Sequence, residues 1–173
     1  MDVDTAALDR QPFLQGRLLR LRPLQAGDVD ALYRIAADPR LWEQHPAKDR
    51  TEEAVFRRWF DEAVSSRGAL VAVDTGSGEV IGTSRYALRP DGAVEIGWTF
   101  LAHSHWGGRW NAEMKQLMLD HAFQVVAEVV FLVHSDNVRS RRAVERLGAV
   151  RIGTEPDSHG RGENDVFRLR RPE

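Results

Sequence analysis

The sequence predicts a mixed α/β domain of α+β character, in which a mostly antiparallel sheet is flanked by helices. Three observations carry that prediction. Short strands joined by glycine-bearing turns run from Ala69 to about Ala102, the pattern of an antiparallel meander. One alternating strand and two amphipathic helices precede them. A glycine turn opening into a long helix, and then a strand apolar on both faces, follow them.

Taken in order, residues 1–16 show no sustained period and are read as an N-terminal tail, with the domain spanning 17–173. Arg17 to Leu24 alternates, placing Leu19 and Leu21 on one face of a first strand. Gly27-Asp28 is a turn and N-cap candidate, after which Val29, Leu32, Tyr33 and Ala36 recur at helical spacing until Asp38-Pro39 stops them. A second helix follows the cap candidates Asp49 and Thr51, and its stripe of Val55, Phe56, Trp59, Phe60, Ala63 and Val64 is broad enough to cover a sheet or a cleft. Ala69–Val73 and Glu79–Leu88 are strands joined by the hairpin turn Asp74–Gly78, and a third runs from Ala93 after Pro90-Asp91-Gly92. The long helix is expected over Asn111–Ala127, burying Met114, Leu117, Met118, Ala122 and Val125. Val129–Val133 reads as a central strand covered on both sides. A last helix turns Ala143, Val144 and Leu147 inward and stops at Gly148, and two strands near 150–154 and 165–170 close the chain.

At 173 residues and 42% hydrophobic content the chain is one domain with a real core. A net charge of -2 gives no global pull toward nucleic acid or an anionic membrane. The absence of cysteine excludes a disulfide, a thiolate metal site and a covalent enzyme thioester. No window has membrane-spanning length, so a cytoplasmic protein is expected. His103 and His105 stand two apart without carboxylate or cysteine partners at metal spacing, so no metal is assigned. His121, among apolar neighbours on the long helix, is read as a partly buried structural histidine.

The stretch His105 to Met114 carries the strongest chemical signal. A turn containing Gly107 and Gly108 opens directly into a helix, and the unpaired N–H groups of a helix start bind phosphate. Arg109 adds an ionic contact. Further on, Asn137 follows the apolar strand and opens the last helix, the position of an N-cap. Arg139, Arg142 and Arg146 share one face of that helix, either toward a phosphate or simply toward solvent.

Two motifs, Trp-Gly-x-x-(aromatic)-x-x-Glu over Trp106 to Glu113 and Asn-x-x-Ser with Glu-Arg-Leu-Gly over Asn137 to Gly148, make the chain from Arg17 onward resemble the GNAT superfamily of N-acetyltransferases, and within it the RimJ/RimL type. The resemblance implies a GNAT fold, a twisted, mostly antiparallel sheet flanked by helices, that binds acetyl-CoA and transfers acetyl directly to a primary amine. The acceptor is a protein alpha-amine or a small-molecule amine, and a homodimer is in keeping with the family. The implied cosubstrate-binding set is Thr99, Phe100, Leu101, Trp106, Gly107, Gly108, Arg109, Trp110, Asn111, Ala112, Asn137 and Ser140. Within it, the N–H groups around Thr99 to Leu101 polarise the thioester carbonyl, and Asn137 also bonds the pantetheine arm.

The amine must be neutral to attack. An alpha-amine of pKa about 8 is roughly one-tenth neutral at pH 7, whereas a lysine near 10.4 is neutral about once in several thousand molecules. Glu95, on the strand before the loop at a position resembling the catalytic glutamate of some family members, and Glu155, expected after the next-to-last strand, are the candidates for binding or deprotonating it. Many relatives protonate the leaving thiolate with a tyrosine, but the matching position here is Val144. RimL-like members point instead to Ser140, for which simple helix packing is the other reading. Arg109 stands where the loop usually has a second small residue, and Ser104 where it has a basic or amide residue. These departures leave open a catalytically idle acyl-CoA-binding sensor. A different nucleotide enzyme is disfavoured, because no Walker lysine and no Gly-x-Gly-x-x-Gly is present.

Overall fold

The computed structural model describes residues 5–173. Eight strands form one sheet: β1 (Leu14–Gln15), β2 (Leu19–Pro23), β3 (Ala69–Asp74), β4 (Val80–Leu88), β5 (Val94–Leu101), β6 (Glu128–His134), β7 (Val150–Pro156) and β8 (Glu163–Arg170). Their spatial order is β1-β2-β3-β4-β5-β6-β8-β7. Every neighbouring pair is antiparallel except β5 and β6. Four helices accompany the sheet, α1 (Val29–Ala36), α2 (Glu53–Ser65), α3 (Arg109–Ala122) and α4 (Val138–Arg146).

Strand β3 is apolar from Ala69 to Val73 and divides these side chains between two cores. Leu70 and Ala72 pack with Met114, Met118, Leu119 and Ala122 of α3 and with Val144 of α4. Ala69, Val71 and Val73 pack with Leu32 and Ala36 of α1 and the aromatic stripe Phe56, Trp59 and Phe60 of α2. The broad stripe of the second helix therefore covers the sheet, as its width requires. β4 and β5 meet at a very close approach: a Cβ on Gly82 would lie 2.2 Å from the carbonyl oxygen of Phe100, so no other residue fits there without moving backbone.

Several elements differ from their sequence expectation. The long helix runs over Arg109–Ala122 and ends five residues before Ala127, because Gln124 and Val125 bond back to His121 and Ala122 in a tightening turn. Leu119 is buried on that helix, while Leu117 and Val125 are only packed against the core. Asp28 sits at the start of α1 but makes no side-chain cap. Its carboxylate is taken by both terminal nitrogens of Arg22, at 2.7 and 2.9 Å, and by the Gln25 amide. Asp49 and Thr51 lie in a 3₁₀ turn (Lys48–Thr51) ahead of α2, which starts after Glu52 without a side-chain cap.

The segment before Arg17 is docked along its described part. Leu14 and Gln15 pair with Leu21 and Arg20, Leu8 is 5% exposed within the α3-side core, and Gln11 donates to the Ala69 carbonyl. Glu113 of α3 holds the entry to β2, accepting from the amides of Arg17, Leu18 and Leu19 at 3.0, 2.8 and 2.9 Å.

Candidate active site

Gly107 and Gly108 immediately precede α3 with φ of 109° and 97°, a left-handed region that side chains rarely adopt. A Cβ on either would meet nothing within 4 Å, so backbone conformation requires glycine there and the space above the loop is open. Gly108 opens the helix without a side-chain cap. The Ala112 amide is bonded to the Gly108 carbonyl at 2.8 Å, while the N–H groups of Gly107, Gly108, Arg109, Trp110 and Asn111 meet no acceptor among the described residues. These amides, at the positive end of a helix, suit a phosphate. Ala112, assigned to the same set from sequence, has its amide already engaged.

The second feature is a parting of strands. β5 and β6 pair only at Val94↔Val129 and Glu95↔Val130, whereas β5 continues beside β4 to Leu101 and β6 continues beside β8 to His134. Beyond Glu95 the edge of β5 that faced β6 is free. Trp98 sits in this stretch at φ 52°, a left-handed tryptophan, and the β4–β5 register shifts between Thr83 and Arg85 beside it. The kink turns Trp98 and Phe100 into the α1/α2 core and Leu101 into the α3 core. A strand paired along one edge turns alternate N–H groups away from its partner, so the Thr99 to Leu101 stretch, paired with β4 and not with β6, has amides for the opening.

Glu95 stands where the parting begins, 8% exposed. Burial pushes its carboxyl up to about 7, with Arg89 opposing and Glu155 reinforcing the shift. Arg89 of the β4–β5 turn connects both predicted carboxylates. Its Nη1 lies 3.5 Å from Glu95 Oε2, while Nη1 and Nη2 donate to the two oxygens of Glu155 at 3.1 and 2.8 Å. Glu155 lies within β7, so β7, β5 and the turn are held at one point. Arg89 was not anticipated; its only signal was a charge beside the turn Pro90-Asp91-Gly92.

Lys115 is the other charged group that sequence reading missed. It is 5% exposed on α3, and its Nζ donates to Ser84 Oγ at 3.1 Å and to Thr99 Oγ1. Burial alone pulls it down to about 7. Its position between Met114 and Met118 on the apolar face was the available clue.

Asn137 caps α4 as its position suggests, its side-chain oxygen accepting from the Ser140 amide at 3.2 Å. Ser140 makes no hydrogen bond to Glu95 or Glu155. Val144 is 5% exposed in the α3-side core, so no acid occupies the tyrosine position. Arg139 does not lie on a solvated face: its guanidinium stacks 3.9 Å from the centre of Trp106 and bonds the Leu41 carbonyl. Trp106 in turn donates to the Leu101 carbonyl at 3.0 Å. Trp110 packs edge-on to His105, whose ring is fixed between Ser104 and Asp74 at 2.8 and 3.1 Å. His121 bonds the Asp9 carbonyl at 2.7 Å, the structural role expected of it. Surface hollows of 530 and 290 Å³, lined by Arg57 and Phe60 and by Trp42 and Glu43 respectively, contain none of these groups and are given no role.

A family model for the acetyltransferase (GNAT) domain matches residues 18–150. The chain belongs to the GNAT acetyltransferase family. No curated protein matches this GNAT chain in sequence. Among solved structures, it is similar to an acetyltransferase from Agrobacterium tumefaciens, at 25% identity over 92% of this chain and 95% of that one, with a TM-score of 0.74. A GCN5-related N-acetyltransferase from Brucella melitensis shares its fold at 23% identity, covering 92% and 79% of the two chains, with a TM-score of 0.79. A ribosomal-protein-S5-alanine acetyltransferase from Vibrio fischeri does so at 15% identity, covering 92% and 97%, with a TM-score of 0.67.

Family membership implies acyl transfer from acetyl-CoA. The GNAT chain fits that donor on two counts: the free amides of Gly107 to Asn111 match a pyrophosphate, and the parting of β5 from β6 leaves unpaired backbone for an extended amide-containing arm. Among the described residues no helix is long and apolar enough to cross a membrane, and no metal-binding cluster is present.

Proposed function

We propose that the protein is an N-acetyltransferase that passes acetyl from acetyl-CoA directly to a primary amine, with Glu95 as general base. The observation that carries this reading is the buried Glu95 carboxyl, held at the head of the β5–β6 opening with an affinity for protons near neutrality. A base so poised takes a proton at working pH and releases it again. Both oxygens of Glu155 are occupied by Arg89, so Glu155 acts through Arg89 as a positioning residue.

Bound acetyl-CoA supplies the activated acyl group. Gly107, Gly108 and the first amides of α3 hold its phosphates, and Asn137 offers its side-chain amide to the pantetheine arm. Glu95 accepts the proton of the amine as the new C–N bond forms and the C–S bond breaks. The free amides of Thr99 to Leu101 stabilise the carbonyl oxygen, and Ser140 donates to the departing sulfur. The RimJ/RimL-like standing of the chain belongs to the same proposal, supported by the Asn137-to-Gly148 motif and the fold of the Vibrio fischeri enzyme.

The test is thiol release from acetyl-CoA across an amine panel, with calorimetry of acetyl-CoA binding in parallel. Glu95→Gln should lower kcat by about 10²–10⁴-fold while leaving acetyl-CoA affinity within a factor of a few. Turnover by Glu95→Gln at the wild-type rate would remove Glu95 from the mechanism. Micromolar binding lost in folded Gly107→Trp would support the loop as the cosubstrate site.

A further inference from the structure

The face of the sheet that carries Glu95 holds a second group of charges that the mechanism does not use. Arg85 of β4 pairs with Gly97 and Ala87 with Glu95, so Arg85 and Glu95 leave the sheet on the same side at diagonal positions, with backbones about 7–8 Å apart. Arg85 is 8% exposed. Its guanidinium lies 4.7 Å from the centre of Trp98 and 5.8 Å from that of Trp59. Arg50, from the 3₁₀ turn before α2, lies 5.3 Å from the centres of both Trp42 and Trp59. Phe100 packs against Trp42 and Trp59 with centroids 5.6 Å away from each.

Both guanidinium groups thus lie close to one indole, 5.3 and 5.8 Å from its centre. Arg22, Arg89 and Arg141 each have a carboxylate partner; Arg50 and Arg85 have none among the described residues. Arg85 Nε and Nη2 and Trp59 Nε1 are buried with no hydrogen-bond acceptor. Burial pulls both arginines down to about 10; for Arg50 the positive charges of Arg161 and Arg85 act in the same direction, while Glu62 opposes at both, with Asp49 at Arg50 and Glu95 at Arg85. Stacking on indole rings accounts for the faces of these cations but not for the edge of Arg85, where buried N–H groups need acceptors. A carboxylate at the edge of Arg85 would supply the acceptors its buried donors lack, in the planar geometry a guanidinium fork prefers, and would offset the repulsion from Arg50.

We propose that Arg50 and Arg85, walled by Trp42, Trp59, Trp98 and Phe100, form an anion subsite for the acceptor, so that the substrate is an amine bearing a carboxylate a few bonds away, of the free amino-acid type. The amine half of this inference rests on the reading of Glu95 as the acceptor's base. The anion half stands on the arginines alone. A polyamine offers these arginines no acceptor, and a protein N-terminus carries a neutral peptide bond where a free amino acid carries its α-carboxylate.

The experiment is a titration followed by intrinsic tryptophan fluorescence, which three of the wall residues report. The probes are N-acetyl-alanine, N-acetyl-leucine and N-acetyl-glutamate against their α-carboxamides, with calorimetry of acetyl-CoA as a separate reading. At least one acid should bind saturably and at least tenfold more tightly than its amide. In Arg85→Gln, kept folded by circular dichroism, that preference should fall by ten- to a hundredfold with acetyl-CoA affinity unchanged. Arg50→Gln, on the more exposed turn, supplies the second variant and should reduce the preference in the same direction. Equal binding of acid and amide, no saturable response to any acid, or an acid preference that survives both variants would overturn the proposal. Binding of acid with no acetyl-CoA binding would uphold the anion subsite and bring down the acetyltransferase reading instead.

Discussion

At the scale of single residues, two buried groups are displaced toward neutrality in opposite senses, and each yields a pH dependence of its own. Glu95 is raised to about 7 by burial and works only when deprotonated. The rate should therefore climb tenfold per pH unit below about 7 and level off above it, and the residual rate of Glu95→Gln should lack that limb. A flat wild-type profile between pH 5 and 8 would contradict its role as base. Lys115 is lowered to about 7 by burial, so between that value and the ordinary lysine pKa the unfolded chain binds a proton that the folded one does not. Stability consequently rises with pH across this window, by at most about 1.4 kcal/mol per unit. Urea melts of wild type and Lys115→Met between pH 7 and 9.5 should show the rise in the first and its loss in the second. Glu95 stood out as a candidate because its place on the strand before the loop resembles that of the catalytic glutamate of some family members. The shift on Lys115 was not legible, because it comes from burial alone, which is complete only once the sheet packs against α3.

At the scale of elements, strand and helix positions followed the periodicity, since α1 over Val29–Ala36 keeps helical spacing and β2 alternates buried Leu19, exposed Arg20 and buried Leu21. Helix ends did not follow. Asp28 looked like a cap and is instead a partner of Arg22, and the choice between these roles depends on where β2 places the arginine. The conspicuous Glu113 of the loop motif proves to be a clasp between α3 and the start of β2. Three amides lose their acceptor in Glu113→Ala, so we predict a destabilisation of about 2–4 kcal/mol, read as a lower urea midpoint at unchanged slope. Glu113→Gln, which keeps one acceptor oxygen, should recover part of it. Equal stability of Glu113→Ala and wild type would show that the clasp contributes nothing.

At the scale of the whole molecule, the loop before α3, the β5–β6 parting and α4 belong to separate stretches of chain, and a ligand spanning them stabilises the fold by mass action. Acetyl-CoA at a hundredfold excess over its dissociation constant should add about 2.7 kcal/mol. Thermal denaturation should show the midpoint rising with acetyl-CoA concentration in wild type and holding still in Gly107→Trp. An equal rise in both would move the site elsewhere. What the sequence alone determined was the order of elements, the two-sided burial of Val129–Val133, the glycine loop and the Asn137 cap, because each depends on neighbours within a few positions and on period. What only the tertiary structure decided was which charges meet. Arg89 joins Glu95 to Glu155 across 60 residues of sequence, and Arg50 and Arg85 come to share Trp59 from three different elements. Periodicity tells which side of an element is buried, but the protonation and pairing of a buried charge are set by what the remote chain brings against it, and no local pattern encodes that.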